Sequence, residues 1–185
     1  DFQRIRADLT ARGVRFDSKS DSEILLRLYQ QQGLEATLPQ LRGEFAFAIY
    51  DEADDALHLV RDRFGIKPQY WALTPAGLVF GSELKVLFAH PAVERRFTSE
   101  GLFHQLMQTM VPGTTAFAGV HQVPPGHGIS VRRRDGQLTV EHWKYWDLDF
   151  PRQGERDAAI TEQEHIDTIR AALLEAVELR MVADV

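Results

Sequence analysis

Apolar positions along the chain follow two periods, and the switches between them mark out the elements. Phe2, Ile5 and Leu9 are spaced by three and four residues, which predicts a helix ending at Gly13. Val14 to Asp17 reads as a short strand. Ser20-Asp21-Ser22-Glu23 has capping-box spacing and opens a second helix through Ile24, Leu28 and Tyr29, closed by Gly33. Leu34 to Leu41 reads as a short connecting turn or helix. Phe45 to Tyr50 is apolar without interruption, the pattern of a strand covered on both faces. Asp51 to Asp55 supplies a polar turn and Leu57 to Val60 a second strand, so the pair predicts a hairpin at the centre of the core sheet. Gln69 to Leu73 and Leu78 to Gly81 form another pair around Thr74-Pro75-Ala76-Gly77.

Short helices are expected over Leu84 to Ala89 and from Thr98 or Ser99 to about Met107. A strand follows over Ala118 to Val123. Ile129 to Val131 and Leu138 to Val140 flank Asp135-Gly136, a strong hairpin signal, and Trp143, Tyr145 and Trp146 prolong the second strand. Arg132-Arg133-Arg134 reads as a solvated loop face. Pro151 to Asp157 is the best linker. Thr161 to Glu164 is a further capping box, ahead of a helix with Ile166, Ile169, Leu173 and Val177 on one face that runs to about Met181. The pattern is that of an α+β domain with a buried sheet.

Composition narrows the function. Of the 185 residues, 44% are apolar and 26% charged, as in ordinary globular proteins. A formal charge of −6 argues against a nucleic-acid or membrane-surface binder. No apolar segment approaches the ~20 residues that cross a bilayer, and no signal peptide opens the chain, which fits a cytoplasmic protein. The chain begins at Asp1 rather than Met, so an upstream segment is expected.

The cysteine count is zero, which removes disulfides, Cys metal sites and thiol nucleophiles from these residues. His121 and His127 are separated by turns with no partner carboxylate nearby, so no metal site is expected there. No GxSxG, P-loop or GxGxxG occurs. Glu44, Asp62 and Glu83 sit at element edges, where pairing with Arg61, Arg63 or Lys85 outweighs an acid–base role. Asp21, at the first turn of a helix, reads on its own as a carboxylate facing the helix dipole.

Six stretches together resemble the class II glutamine amidotransferase domain of glutamine-hydrolysing asparagine synthetases. They are SDSEILLRLYQQQG (Ser20 to Gly33), LRGEFAFAIYD (Leu41 to Asp51), RDRFGIKPQYW (Arg61 to Trp71), FGSELKVLFAHP (Phe80 to Pro91), GVHQVPPGH (Gly119 to His127) and YWDLDF (Tyr145 to Phe150). Their shared order and spacing over Ser20 to Phe150 carry the match.

The resemblance implies an N-terminal-nucleophile (Ntn) hydrolase fold, an αββα sandwich of two stacked, mainly antiparallel sheets between helices, here lacking its N-terminal segment. It implies a partial amidotransferase domain over residues 1–150, a linker over 151–160, and over 161–185 the first helix of an ATP-dependent synthetase domain. Arg180 to Val185 resembles the sequence that precedes the family's pyrophosphate loop.

The family mechanism uses an N-terminal Cys thiolate against the glutamine carboxamide, with the free α-amino group, of pKa ~7.7–8.0, as base. No residue here matches that Cys, so no catalytic residue and no metal ligand is assigned. Asp21 aligns with the family Asp that accepts the glutamine α-ammonium. Arg61-Asp62 and Ser82-Glu83 belong to family motifs read as scaffold.

Implied partners are glutamine and, in the parent protein, aspartate or another carboxylate activated with ATP and Mg2+. No cofactor is expected in this stretch, and a homodimer is an allowed assembly. Alternatives are a Cys-less relative making another amide, such as a β-lactam or macrolactam, and a non-catalytic scaffold or dimerisation domain.

Overall fold

Two hairpin turns set the ladder on which the fold is built. In the first, the Asp51 carboxylate accepts the main-chain N–H of Ala53 at 2.9 Å and of Asp54 at 3.4 Å, while Asp55 adopts φ +44°. In the second, Asp135 and Gly136 both have positive φ, 52° and 80°, as a two-residue hairpin turn requires. The computed structural model describes residues 2–109, 111–152, 154 and 160–181.

In chain order the elements are α1 (Phe2–Ala11), α2 (Asp21–Thr37), a 3-10 turn (Leu38–Gln40), β1 (Ala46–Asp51), β2 (Ala56–Arg61), β3 (Tyr70–Thr74) and β4 (Gly77–Gly81). There follow α3 (Leu84–Leu87), α4 (Ser99–Leu106), β5 (His121–Gln122), β6 (His127–Arg134), β7 (Gln137–Lys144) and α5 (Glu162–Arg180). The strands form a four-stranded sheet in the order β1-β2-β6-β7 and a three-stranded sheet in the order β4-β3-β5, both antiparallel.

Strand alternation divides the larger sheet into two faces. Leu57, Leu59, Ile129, Val131, Leu138 and Val140 face inward and pack with Trp71 and Leu78 of the smaller sheet and with Val123. The opposite face carries His58, Ser130 and Trp143 beneath α2, where the Tyr29 hydroxyl donates to Asp51 at 2.5 Å. The α1–α2 pair has its own core of Ile5, Leu9, Ile24 and Leu28. On the far side, α3 covers the smaller sheet through Ala72, Leu87, Val93 and Val120. Helix, sheet, sheet and helix form the expected αββα sandwich.

Several expectations change. β1 is an edge strand and not the centre of the sheet: Tyr50 is 57% exposed, whereas β2 is covered along nearly its whole length. A continuous apolar run marks apolar contacts and not the number of neighbouring strands. Phe45 and Phe47 pack on each other, with ring centroids 5.6 Å apart.

Val14 to Asp17 is not a strand, because the Glu23 carboxylate takes the N–H groups of Asp17 and Ser18. Gly33, at φ +76° and ψ 177°, kinks α2, which resumes as far as Thr37. Only His121–Gln122 of the predicted strand 118–123 enters a ladder. Arg132 to Arg134 belong to β6, and Arg132 pairs with Glu141 at 3.3 Å across to β7.

The chain divides into two compact units, Phe2–Asp147 and Leu148–Val185. In the second, Thr161 and Glu164 form the expected capping box, and Ile166, Ile169, Leu173 and Val177 of α5 are exposed. Residues 153, 155–159 and 182–185, and with them most of the linker and the end of the Arg180 to Val185 stretch, lie outside the described residues.

Candidate substrate-binding site at the start of α2

Ser20 caps α2, its Oγ accepting the Ser22 N–H at 3.2 Å. The expected capping box does not close, because Glu23 reaches past the cap. Its carboxylate accepts the N–H of Asp17 at 2.8 Å, the N–H of Ser18 at 2.7 Å and the Ser18 hydroxyl at 2.7 Å. Arg27 pairs with Glu23 at 3.2 Å and with Asp17 at 2.9 Å. Arg6 of α1 donates to the carbonyls of Ser18 and Ser20, each at 2.9 Å. The loop before the helix is thus clamped from both helices. The Asp17 N–H, then the Ser18 hydroxyl, hold the Glu23 carboxyl down at about 2.

Asp21 sits on this clamped loop without being part of the clamp. It is exposed, and its Oδ1 accepts only long hydrogen bonds, from Ser20 Oγ at 3.5 Å and Ser22 Oγ at 3.4 Å. It forms no ion pair among the described residues. A fixed, uncommitted carboxylate can receive an ammonium group, and its full charge outweighs the roughly half charge of the helix start beside it.

The Arg61-Asp62 motif is built differently. Asp62, 1% exposed, accepts the N–H groups of Phe64, Ile66 and Lys67 at 3.1, 3.0 and 2.9 Å. Arg61, 7% exposed, donates to the carbonyls of Lys67 at 2.7 Å, Val123 at 2.9 Å and Gly65. Gly65 is required here: φ is +64°, and an added Cβ would lie 2.8 Å from Pro125 Cγ. Glu83 pairs with Lys85 at 2.5 Å as expected, whereas Glu44 pairs with Lys67 at 3.5 Å, a partner outside the three expected. The expectation fails for Asp62, which main-chain donors satisfy.

One buried polar network escaped the sequence pattern. His58 Nδ1 lies 2.9 Å from Ser130 Oγ, which also accepts the Trp143 indole N–H at 2.8 Å. Burial, then the Arg132 charge, hold His58 below the usual imidazole range. Burial and the bond to Asp51 push the Tyr29 phenol up to about 12. His58 sits within the apolar run Leu57 to Val60, and nothing local distinguishes it from a core residue. A cavity of about 220 Å³ between α1 and α2, lined by Arg4, Asp8, Arg12 and Gln40 among others, contains none of the candidate site residues, Asp21 included. No helix among the described residues is long and apolar enough to cross a membrane.

Residues 1–146 match the family described as "Glutamine amidotransferase domain". The chain is 32% identical over 183 residues, 98% of its length, to "Asparagine synthetase [glutamine-hydrolyzing] 3" of Bacillus subtilis, of which it spans 28%. It is 37% identical over its whole length to "Amidase chry2" of Gibberella zeae, of which it spans 26%. It is 35% identical over 96% of its length to "Amidase chyE" of Penicillium rubens, spanning 25% of that protein. The glutamine phosphoribosylpyrophosphate amidotransferase of B. subtilis, solved with ADP and GMP, superposes on 81% of this chain and 28% of its own, with a TM-score of 0.54 at 19% identity, and supports the fold.

Proposed function

The chain belongs to the glutamine amidotransferase domain family, in its asparagine synthetase-like branch, and from that membership we propose that it is the ammonia-supplying portion of a glutamine-dependent ligase. The whole protein would hydrolyse glutamine and transfer the amide nitrogen to a carboxylate activated with ATP, aspartate being the first candidate. The family match over residues 1–146 carries this reading. Residues 1–150 are assigned to the amidotransferase domain, 151–160 to a linker, and 161–185 to the first helix of the synthetase domain. ATP and Mg2+ belong, on this reading, to the synthetase domain in the rest of the protein.

Within this chain, Asp21 receives the α-ammonium of glutamine and orients the substrate. The exposed, unpaired carboxylate on a clamped helix start supports that role. The sequence holds no Cys, so these residues supply no thiol. The isolated 185-residue chain is accordingly expected to release no glutamate from glutamine. Release above an enzyme-free blank would overturn that part of the reading.

The decisive assay uses the whole protein with ATP and Mg2+, comparing glutamine with ammonia as nitrogen source. Asp21→Asn should raise the glutamine KM on the order of tenfold or more, the loss of a charge-assisted hydrogen bond, and leave ammonia-supported synthesis unchanged. An unaltered glutamine KM would remove Asp21 from the site.

The two fungal amidase relatives favour a second reading, in which the amide formed is not asparagine. Product mass after incubation with aspartate and with a panel of other carboxylates separates the two. A protein that forms no amide with any acceptor and runs as a stable dimer would instead be a scaffold.

A further inference from the structure

The main chain that delivers Asp21 is held on its two sides by different side chains. Glu23 takes the donors, the N–H groups of Asp17 and Ser18. Arg6 of α1 takes the acceptors, donating through Nη1 to the Ser18 carbonyl and through Nη2 to the Ser20 carbonyl, each at 2.9 Å. The Ser20 carbonyl belongs to the peptide group that joins Ser20 to Asp21, so Arg6 bonds directly to the main chain of the candidate ligand residue. Glu23 comes that close only through a relay: it binds the Ser18 hydroxyl, whose oxygen accepts the Ser20 N–H at 3.2 Å.

Arg6 is itself held in place. Its guanidinium carbon stands 4.3 Å from the centre of the Phe16 ring, and the neighbouring Ile5 is anchored in the α1–α2 core with Leu9, Ile24 and Leu28. A planar guanidinium carries its donors in a fixed fork, so it sets the separation and the plane of the two carbonyls together. Folding stability has little use for this. Both bonds are exposed, where water would satisfy the same carbonyls. What the fork does is restrict the path from Ser18 to Asp21 to one geometry, with Ser20 extended at φ −64° and ψ 143°.

We propose that Arg6 is a positioning residue for glutamine: by fixing the Ser20–Asp21 peptide it aims the Asp21 carboxylate at the substrate α-ammonium. The inference rests on Asp21 being the ammonium contact. Arg6 touches no substrate, yet the affinity for glutamine depends on it, because a charge-assisted hydrogen bond weakens steeply when its distance or angle is lost. Lysine does not replace it. An ammonium on a flexible stem reaches one carbonyl or the other and holds no plane.

The experiment is a double-mutant cycle in the whole protein with ATP and Mg2+, reading glutamine KM and kcat for the native protein, Arg6→Lys, Asp21→Asn and the double variant. Arg6→Lys should raise the glutamine KM about three- to tenfold and change kcat by less than about twofold. In the Asp21→Asn background the same substitution should raise KM by less than about twofold, because Arg6 acts only through the carboxylate already lost. Phe16→Leu removes the ring beneath the guanidinium and leaves both donors in place. It should raise KM in the same direction by less, and it carries the same cycle if Arg6→Lys does not fold. An equal rise in both backgrounds, or no rise from Arg6→Lys and Phe16→Leu alike, overturns the proposal and leaves the Asp21 contact standing. A native glutamine KM in Asp21→Asn removes Asp21 from the site and Arg6 with it, so that one value tells the two failures apart.

Discussion

Two aspartates, Asp62 and Asp21, sit in two of the six family-like stretches of this chain, and their surroundings are opposites. Asp62 is sealed in the 61–67 turn and saturated by three main-chain N–H groups. Asp21 rides on a turn that Glu23, Arg27 and Arg6 already hold, and it adds no bond of ordinary length to that hold. A carboxylate that holds a turn cannot also hold a ligand without releasing its donors. One that others have made redundant can. Motif membership alone does not separate these roles, whereas the count of hydrogen bonds each carboxylate is committed to does.

Removing Asp62 should have the largest effect. Asp62→Ala leaves three part-buried N–H groups without their acceptor, at about 1–3 kcal/mol each before water relieves some of them, so a loss of about 2–4 kcal/mol is expected in urea unfolding. Asp62→Asn keeps one acceptor oxygen and should fall between. Gly65→Ala tests the same turn from the backbone side and should cost about 1–2 kcal/mol from the left-handed φ alone, before any clash with Pro125 is counted. A loss below that of Asp21→Asn in either case would dissolve the contrast.

Glu23 is the intermediate case, and pH isolates it. Its folded pKa of about 2 lies below the ~4.3 of an unfolded Glu, so the unfolded chain binds the proton first. The stability it gives is fully present above ~4.3 and is lost as pH falls toward 2. His58, also depressed, follows the same sign from a higher starting point: its contribution is intact above ~6.5 and declines as pH falls below that. Stability should therefore fall in two stages on acidification. Glu23→Gln should remove the lower stage and His58→Gln the upper. A single stage that survives both substitutions would show that other carboxylates dominate acid unfolding.

How much of this was legible beforehand follows the range of the interactions. The turn at Asp135-Gly136, the cap at Ser20 and the box at Thr161 are set within four residues and stood in the sequence as they stand in the fold. The reversal of β1 from central to edge strand was not legible, because Phe45 to Tyr50 states how apolar a strand is and not how many neighbours it has. Glu23 was placed in the right motif with the wrong partners. The spacing that makes a capping box also lets a carboxylate reach back to residues 17 and 18, and only the loop path set by Arg6 decides between them. His58 with Ser130, and Trp71 with His142, are meetings across 72 residues in the first case and between two sheets in the second, and no local pattern announces either.

Asp21→Asn should have the smallest effect on stability and is for that reason the most informative change. The substitution keeps the size of the side chain and its acceptor for Ser20 and Ser22, and removes one charge at a helix start, worth below about 1 kcal/mol at an exposed site. Urea midpoints of the native and Asp21→Asn chains should nearly coincide at neutral pH. If Asp21 were instead part of the clamp, its loss would loosen residues 17–20, and the midpoint would move as far as it does for Glu23→Gln. Hydrogen exchange at the Asp17 and Ser18 amides reads the clamp directly. Those two amides should stay protected in Asp21→Asn and lose protection in Glu23→Gln. Unchanged protection together with a raised glutamine KM in the whole protein would place Asp21 on the ligand side of the comparison. Lost protection in Asp21→Asn would return it to the scaffold beside Asp62.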